Sequence, residues 1–319
     1  MATTDDAGAV QTLEPAQAQD LPRAEVESLP LRLYTNPGLN RLVPTSVAVR
    51  IARRVGRKRW EVRPRRDDAL TWTRLMAPGD ASADELEDLA RAALEEQAVK
   101  QALFWRPWTA TGASVQGIES LLEAVSSGRG AVISYPHLSE HTLLMLAIAS
   151  KGLRLFLPRK RSPKADRITP DYQGLRRREL LQRMERAGSR WVGRGDAFEL
   201  LRTLVESGNV VMIAVDVKGG RPSTYLGHQM SLARGPAELG FATQAPVFPA
   251  YAHRSGTRLR FVIEEPIKPS DFESADMLHH QLVGRAETVV RERLPELYPY
   301  LCGELGSELK AERKRRERV

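Results

Sequence analysis

The chain has 319 residues, long enough for one large domain or two small ones, and 42% of them are hydrophobic, enough for a substantial core. A single cysteine, Cys302, excludes a disulfide framework and a cysteine-based metal site, and it favours a reducing, cytoplasmic setting. No stretch approaches the roughly 18–20 apolar residues that a membrane-spanning helix requires. Residues 1–28 are polar and acidic, so we expect a disordered leader and not a signal peptide.

The net charge of +8 is unevenly distributed. Basic residues are concentrated in clusters, and basic clusters suit partners that carry phosphate, namely an anionic lipid surface, an acidic carrier protein or a phosphopantetheine arm. The alternative interpretation is a solvated basic surface. Nucleic acid is not an expected partner, because no recognisable nucleic-acid module is present and aromatic residues make up 6% of the chain. The basic clusters lie at residues 50–66, 154–167, 176–178 and 313–318.

Residues 29–110 are predicted to form an N-terminal helical region. Apolar residues recur at helical spacing from Leu42 to Val55 with basic residues between them, which predicts a basic amphipathic helix ending near Gly56. Such a helix could lie peripherally on an anionic membrane surface, or it could pack on the domain with its arginines in water. A second helix is predicted over residues 82–101, since Ser82 and Glu85 form a capping-box pattern.

Residues 111–303 are predicted to form an α/β domain, followed by a charged tail at residues 304–319. Short apolar runs alternate with helical patterns, which predicts a mixed, mainly parallel sheet flanked by helices. We expect a loop at residues 219–225, an antiparallel strand at 259–264, and a surface position for His279 in a helix over 276–294. The buried strands are predicted at residues 131–135, 153–157, 190–192, 210–215 and 246–252, and the first helices between them at 143–148, 175–187 and 196–205.

The strand at residues 131–135 is followed directly by Pro136 and His137. A histidine in this position lies at the carboxyl edge of the sheet, where open α/β sheets bind their ligands. Histidine is also suited to act as a general base, provided that a carboxylate fixes its ring tautomer. Glu140 is a candidate partner by sequence and Asp216 by its place at another strand end; a purely structural histidine is the alternative.

Other catalytic motifs are missing from the sequence. It has no G-x-S-x-G elbow, no G-x-x-x-x-G-K-[ST] loop and no G-x-G-x-x-G fingerprint. His137, Glu140 and His141 spell H-x-x-E-H, an inverted zinc-protease order, but that motif belongs inside a helix and His137 follows a strand and a proline. We therefore expect no metal and no cofactor.

The order of motifs from His137 onward resembles the bacterial lipid A late acyltransferase superfamily, which includes the actinobacterial phosphatidylinositol mannoside acyltransferases. The resemblance covers roughly residues 115–300. The matching blocks, in order, are Gly130 to His137, the basic segment at Arg159, the strand from Val210 to Asp216, the segment from Tyr225 to Leu239, Ala242 to Pro249, and Pro295 to Tyr298.

The resemblance implies a glycerolphosphate-acyltransferase-like fold and transfer of a fatty acyl group from acyl-CoA or acyl carrier protein to a hydroxyl or amine. His137 would be the general base, and backbone amides or arginine would stabilise the oxyanion. Arg159 and Arg234 would hold donor or acceptor phosphates. His141 and Gly235 complete the expected substrate-binding residues.

The sequence departs from the family where an acid is expected five residues after the histidine, because that position is Thr142. Glu140 is our first expectation for the partner of His137 and Asp216 the second. Three functions remain open. They are acyl transfer to a glycolipid or lysolipid at the inner face of the membrane, transfer to a non-lipid amine or hydroxyl, and non-catalytic binding of acyl chains or carrier protein. In the first, the basic helix would replace the family's hydrophobic N-terminal anchor.

Overall fold

The computed structural model of the protein describes residues 37–77, 79–159, 180–193, 197–300 and Leu305. It is a mixed α/β structure with a seven-stranded, mainly parallel sheet flanked by helices, which confirms the predicted fold class. The predicted leader and nearly all of the charged tail lie outside the described residues, as does the basic segment after Arg159.

Helices dominate the N-terminal part of the described chain. They are α1 (Pro37–Leu42), α2 (Thr45–Arg59), α3 (Arg63–Met76), α4 (Ala83–Phe104) and α5 (Trp108–Thr111). The predicted capping box opens α4, with the Glu85 amide donating to the Ser82 hydroxyl at 3.3 Å and the Ser82 amide donating to the Glu85 carboxylate at 2.8 Å. Over the part of the chain that the structure describes, no helix has the length and apolarity needed to cross a membrane.

Helix α2 does not end near Gly56, as the sequence suggested, but continues to Arg59. Gly56 is instead a packing contact between α2 and α4. A Cβ atom at this position would lie 2.5 Å from the Cα atom of Glu95, so the two helix backbones approach more closely than any larger residue allows. The glycine therefore brings α2 and α4 together and does not terminate α2.

The strands and the remaining helices follow in alternation. The strands are β1 (Val115–Gln116), β2 (Ala131–Tyr135), β3 (Leu155–Arg159), β4 (Arg190–Gly193), β5 (Val210–Ala214), β6 (Lys218–Tyr225), β7 (His228–Leu232), β8 (Val247–Ser255) and β9 (Arg258–Ile263). The helices are α6 (Ile118–Ser126), α7 (His141–Ala149), α8 (Ala197–Glu206), α9 (Gly235–Thr243) and α10 (Ala275–Arg291). Residues 180–186 are also helical, and Leu294–Leu297 form a 3-10 turn.

The strand order in the sheet is β1-β9-β8-β2-β5-β3-β4. The strands β8, β2, β5, β3 and β4 run parallel to one another. Strand β9 is antiparallel to β8, as the alternating pattern at residues 259–264 predicted, and β1 is parallel to β9. The carboxyl ends of the parallel strands therefore share one edge of the sheet, called the carboxyl edge below.

Both faces of the sheet are covered by apolar cores. Ala131 and Ile133 of β2 point into one core, which α6 and α7 complete, whereas Val132 points into the other, which α8, α9 and α10 complete. Burial on both faces explains why β2 and β5 are continuous apolar runs in the sequence. Side chains of α2 and α4 enter the first core and those of α3 and α4 enter the second. The domain boundary near residue 110 stays a prediction.

The predicted loop at residues 219–225 is wrong, because these residues belong to β6, which forms an antiparallel hairpin with β7. Gly219, Gly220 and Pro222 in this stretch are typical turn formers, so the local signal favoured a loop. The hairpin carries a register shift between Lys218 and Pro222, and its apolar side chains, including Tyr225, pack into the core beside α10. Tertiary packing thus overrides the local preference.

His279 is buried, with 2% of its surface exposed, and not on the surface as its helix pattern suggested. Its Nε2 atom lies 3.0 Å from the Ser223 hydroxyl of β6. Burial, followed by the charges of His280 and Arg234, lowers the pKa of His279 to about 4. The imidazole is therefore neutral in the folded protein at neutral pH.

We predict that His279 makes the protein acid-sensitive. The unfolded chain takes up a proton at this side chain below pH 6.5 and the folded chain only near pH 4, so stability falls as the pH falls through this window. By about pH 5 the loss is about 2 kcal/mol of unfolding free energy. His279→Gln does not titrate, so urea denaturation at about pH 7.5 and about pH 5 should show a smaller loss than in the wild type. His280→Gln, an exposed neighbour, should keep most of the wild-type dependence; equal behaviour of the two variants would contradict the assignment.

Candidate active site

The carboxyl ends of β2 and β5 place His137 beside Asp216. The two strands are adjacent and parallel, and Tyr135 at the end of β2 pairs with Ala214 at the end of β5. His137 and Asp216 each follow two residues after these paired positions. Because parallel neighbours in register keep equal offsets level, the two side chains meet at the carboxyl edge, 79 residues apart in sequence.

Asp216 binds His137 through both of its carboxylate oxygens. Oδ1 lies 2.7 Å from the ring atom Nδ1, and Oδ2 accepts the His137 backbone N–H, also at 2.7 Å. The Asp216 side chain is fully buried, whereas 18% of the His137 side chain is exposed. A carboxylate can only accept, so Nδ1 carries the ring proton and Nε2 keeps a free lone pair. This is the tautomer that a general base needs.

Glu140, the first expectation from sequence, is not the carboxylate that contacts His137. It directly precedes α7, and its side chain is buried. Burial raises the pKa of the Glu140 carboxyl, an effect that the charge of Lys100 opposes. Proximity in sequence favoured Glu140, but the register of β2 and β5 brings Asp216 to the ring instead.

Aromatic rings surround the imidazole of His137. The Tyr300 ring stacks on it with centroids 4.1 Å apart and planes 14° apart. The His141 ring approaches edge-on at 4.6 Å and itself stacks on Tyr135 at 5.9 Å. Burial and the charge of Asp216 raise the pKa of Tyr135, so its phenol stays neutral. The imidazole therefore lies among aromatic rings, with the Asp216 carboxylate at its Nδ1 atom.

Backbone contacts fix the bend that follows His137. Ser139 adopts a positive φ of 47°, and its N–H donates to the Glu296 carbonyl at 3.0 Å. The Lys100 ammonium donates to the same carbonyl at 3.0 Å and to that of Tyr298 at 3.2 Å. The Glu296 carboxylate in turn accepts the backbone N–H of Arg254 at 3.1 Å. Helix α4, strand β8 and the segment at residues 294–300 thus converge behind the candidate base.

The predicted substrate-binding residues are only partly placed at this edge. Arg159 ends β3, whose register with β5 brings its backbone to the carboxyl edge; its side chain lies outside the described residues. Gly235 begins α9 against Ile213 of β5. The Arg234 guanidinium pairs with Asp276, and with Glu238 at 3.5 Å, so internal carboxylates occupy it. The roles of Arg159, Arg234, Gly235 and His141 in binding substrate stay predictions.

The H-x-x-E-H sequence does not form a metal-binding arrangement here. Nδ1 of His137 is committed to Asp216, and only His141 of the three motif residues lies within α7. Among the residues that the structure describes, no group of three or more His, Cys, Asp or Glu side chains is arranged to hold a metal ion.

Sequence reasoning missed three residues of the site, namely Lys100, Glu296 and Tyr300. Glu296 falls within the Pro295 to Tyr298 block that carried part of the family resemblance, and this was the available signal. Lys100 and Tyr300 carry no local signal, since one lies on a helix of the N-terminal region and the other follows the last matched block. Only the packing of α4 against residues 294–300 brings these residues to the segment around His137.

Comparisons with known proteins do not place this chain in a family. No family model matches the sequence, and no curated protein matches it. Among solved structures, the 1-acyl-sn-glycerophosphate (LPA) acyltransferase PlsC from Thermotoga maritima is similar at 16% sequence identity and a TM-score of 0.36, over 73% of this chain and 88% of that one. The function of the chain therefore has to be inferred from its own residues.

We predict that Lys100 is important for stability. Lys100→Met removes the ammonium donor from the Glu296 and Tyr298 carbonyls, although the Glu296 carbonyl keeps its bond from the Ser139 N–H. The free energy of unfolding should therefore fall by about 1–3 kcal/mol in urea denaturation at neutral pH. Lys151→Met is the matched control, because Lys151 is exposed at the opposite edge of the sheet. Equal stability of the two variants would show that the Lys100 contacts contribute nothing.

Proposed function

We propose that this protein is an acyltransferase that moves a fatty acyl group from a thioester, acyl-CoA or acyl carrier protein, to the hydroxyl of a glycolipid or lysolipid. The observation that carries the proposal is the His137–Asp216 pair at the carboxyl edge of a parallel sheet. Because Nδ1 of His137 contacts Asp216, the Nε2 atom is left to act as the base. The His137 side chain is 18% exposed, so it is open to a substrate. The motif order that resembles the lipid A late acyltransferases supports the same chemistry.

In the proposed reaction, Nε2 of His137 takes the proton of the acceptor hydroxyl as its oxygen attacks the thioester carbonyl carbon. The carbonyl electrons move onto oxygen to form a tetrahedral oxyanion, and its collapse breaks the carbon–sulfur bond. The thiolate leaves and takes up the proton from the imidazolium. Asp216 keeps the ring in the productive tautomer and stabilises the transient positive charge. No acyl-enzyme is needed, because the acceptor attacks directly.

The surface of α2 supports an acceptor that lies in a membrane. Arg50, Arg54 and Lys58 recur every four residues, are exposed, and take part in no ion pair within the described ranges. Ile51, which follows Arg50 in α2, is 41% exposed, and Leu42 at the end of the preceding helix α1 is 79% exposed. We call Leu42, Arg50, Ile51, Arg54 and Lys58 the basic stripe. Cationic side chains beside apolar ones suit the headgroup region of an anionic bilayer.

The remaining basic residues of α2 attach the helix to the rest of the protein. Arg57 pairs with Glu95 of α4 at 3.4 Å, and Arg53 donates to the Gly256 carbonyl at 3.2 Å. Gly256 lies in the turn between β8 and β9. Strand β8 runs parallel to β2 and extends beyond its end, so this turn projects from the carboxyl edge that holds His137. A bilayer bound to the basic stripe would therefore lie on the side of the molecule that carries the base.

We predict that the His137–Asp216 pair is essential for acyl transfer. His137→Gln should abolish turnover, and Asp216→Asn should lower kcat by about 10²–10⁴-fold, because it removes the group that fixes the tautomer. Glu140→Gln should cost about threefold or less, since Glu140 does not contact the ring. The measurement is thiol release from acyl-CoA and acyl carrier protein of several chain lengths, with mass spectrometry of the products. The acceptors are lysophosphatidate, a glycolipid, an amine and a water-soluble alcohol.

Circular dichroism of each variant provides the folding control for this series. A greater loss in Glu140→Gln than in Asp216→Asn would overturn the assignment of Asp216. If wild type and His137→Gln are equally inert with every donor and acceptor, the protein is a non-catalytic binder of acyl groups. Product formed with amine or water-soluble acceptors alone would instead favour the non-lipid alternative.

We also predict that the basic stripe binds anionic membranes. The protein should float with vesicles that contain about 30% phosphatidylglycerol and not with pure phosphatidylcholine, and binding should weaken as salt rises. Replacing Arg50, Arg54 and Lys58 by Gln should lower the partition coefficient by roughly 100-fold, since each basic residue near the surface contributes about 1 kcal/mol.

The matched control replaces Arg129, Lys151 and Arg154, which are exposed beside the starts of β2 and β3 at the opposite edge of the sheet. This triple variant changes the net charge by the same amount and should bind vesicles like the wild type. Equal losses in both triple variants would mean that overall charge, and not the basic stripe, drives binding. No flotation of the wild type at low salt would count against a membrane acceptor.

A further inference from the structure

Tyr300 contacts both members of the His137–Asp216 pair. Its ring lies face to face with the imidazole, with centroids 4.1 Å apart and an angle of 14° between the planes. Its hydroxyl donates to the backbone carbonyl of Asp216 at 3.3 Å. One side chain thus spans from the face of the candidate base to the backbone of the residue that orients it.

The backbone of Tyr300 is anchored independently of these contacts. Its N–H donates to the Leu297 carbonyl at 2.9 Å, and its carbonyl accepts the indole N–H of Trp72 at 2.8 Å. Trp72 is fully buried in α3, and its ring meets Tyr298 edge-on at 5.2 Å. Hydrogen bonds at both the N–H and the carbonyl of Tyr300 therefore hold the backbone from which its ring extends.

The combination restricts the one motion that the Asp216 contact leaves open. A single bond at Nδ1 allows the imidazole to rock about that bond, and such rocking would move Nε2 away from a substrate hydroxyl. A parallel ring at 4.1 Å blocks rotation out of the plane. The π face of a tyrosine also stabilises a cation stacked on it, which favours the imidazolium that forms during transfer.

We infer that Tyr300 is a positioning residue, which holds the His137 ring in plane for proton transfer and stabilises its charged form. The inference rests on the proposed acyltransferase function, because it assigns the ring a task in that reaction. It adds a third element to the pair, contributed by the segment that follows the last block of family resemblance. Tyr300 itself makes no bond to the reacting atoms in this scheme.

The test compares Tyr300→Phe, which keeps the ring, with Tyr300→Leu, which removes it. We expect Tyr300→Leu to lower kcat roughly 2- to 12-fold with KM unchanged, the range that corresponds to the ~0.5–1.5 kcal/mol of an aromatic pair. Tyr300→Phe should stay close to wild type, because it loses only a long hydrogen bond. A rescue by phenylalanine is what separates ring stacking from the hydroxyl contact.

The second readout is NMR of the His137 ring, which needs no turnover. The chain has 6 histidines, and the His137 signals are assigned by their loss in His137→Gln. The stacked tyrosine shields the imidazole protons, so these signals should move downfield in Tyr300→Leu and stay near their wild-type positions in Tyr300→Phe. Tyr251→Leu is the matched control, because Tyr251 lies 5.9 Å from the ring of His253; it should shift His253 and leave His137 unchanged.

The two readouts separate this inference from the proposed function. If the wild type is active, and if Tyr300→Leu changes neither kcat nor the His137 signals, the role of Tyr300 is overturned and the proposed function stays intact. If the His137 signals shift in Tyr300→Leu but the wild type transfers no acyl group, the proposed function is overturned and the stacking arrangement stays intact. If Tyr300→Leu does not fold, loss of the shielded signals in Tyr300→Phe would still overturn the inference.

Discussion

The contact between Asp216 and His137 is the interaction on which the site depends. Burying a carboxylate completely is costly, and two short hydrogen bonds from His137, one from its backbone and one from its ring, help to offset that cost. Both bonds require β2 and β5 to be adjacent, parallel and in register, because each residue follows its strand by two positions. A slip of one residue would leave a buried charge without its partner. The sheet therefore specifies the site, and the site in turn favours one register of the sheet.

Two carboxylates near the candidate base lie in different environments. Asp216 accepts hydrogen bonds from His137, whereas Glu140 is buried near Lys100, where desolvation raises its pKa. The Asp216 carboxylate suits the imidazolium of the proposed acyl transfer, and Glu140 belongs to the packing behind the bend. The N-terminal helices complete this packing, since Lys100 of α4 and Trp72 of α3 both bind the segment at residues 294–300. The N-terminal helices thus support the site as well as carrying the basic stripe.

The sequence by itself determined the fold class and the position of the candidate base. Strands buried on both faces appear as continuous apolar runs, and the helices between them follow a period that is local to the chain, so β2, β5 and α4 were predictable. The strand-end position of His137 followed from the same local pattern. The β6–β7 hairpin was not predictable, because its glycines and proline signal a turn and its strand pairing depends on packing against α10.

Only the tertiary structure decided which groups act on His137. Whether Glu140 or Asp216 contacts His137 depends on strand order and register, which no local pattern encodes. The structure places Asp216, 79 positions away in sequence, against the ring. Lys100 belongs to α4 and Tyr300 follows the 3-10 turn at Leu294–Leu297, and both reach the site because the N-terminal helices pack against residues 294–300. Local periodicity therefore determined where a base could stand, and contacts between distant segments determined its tautomer, its orientation and its surroundings.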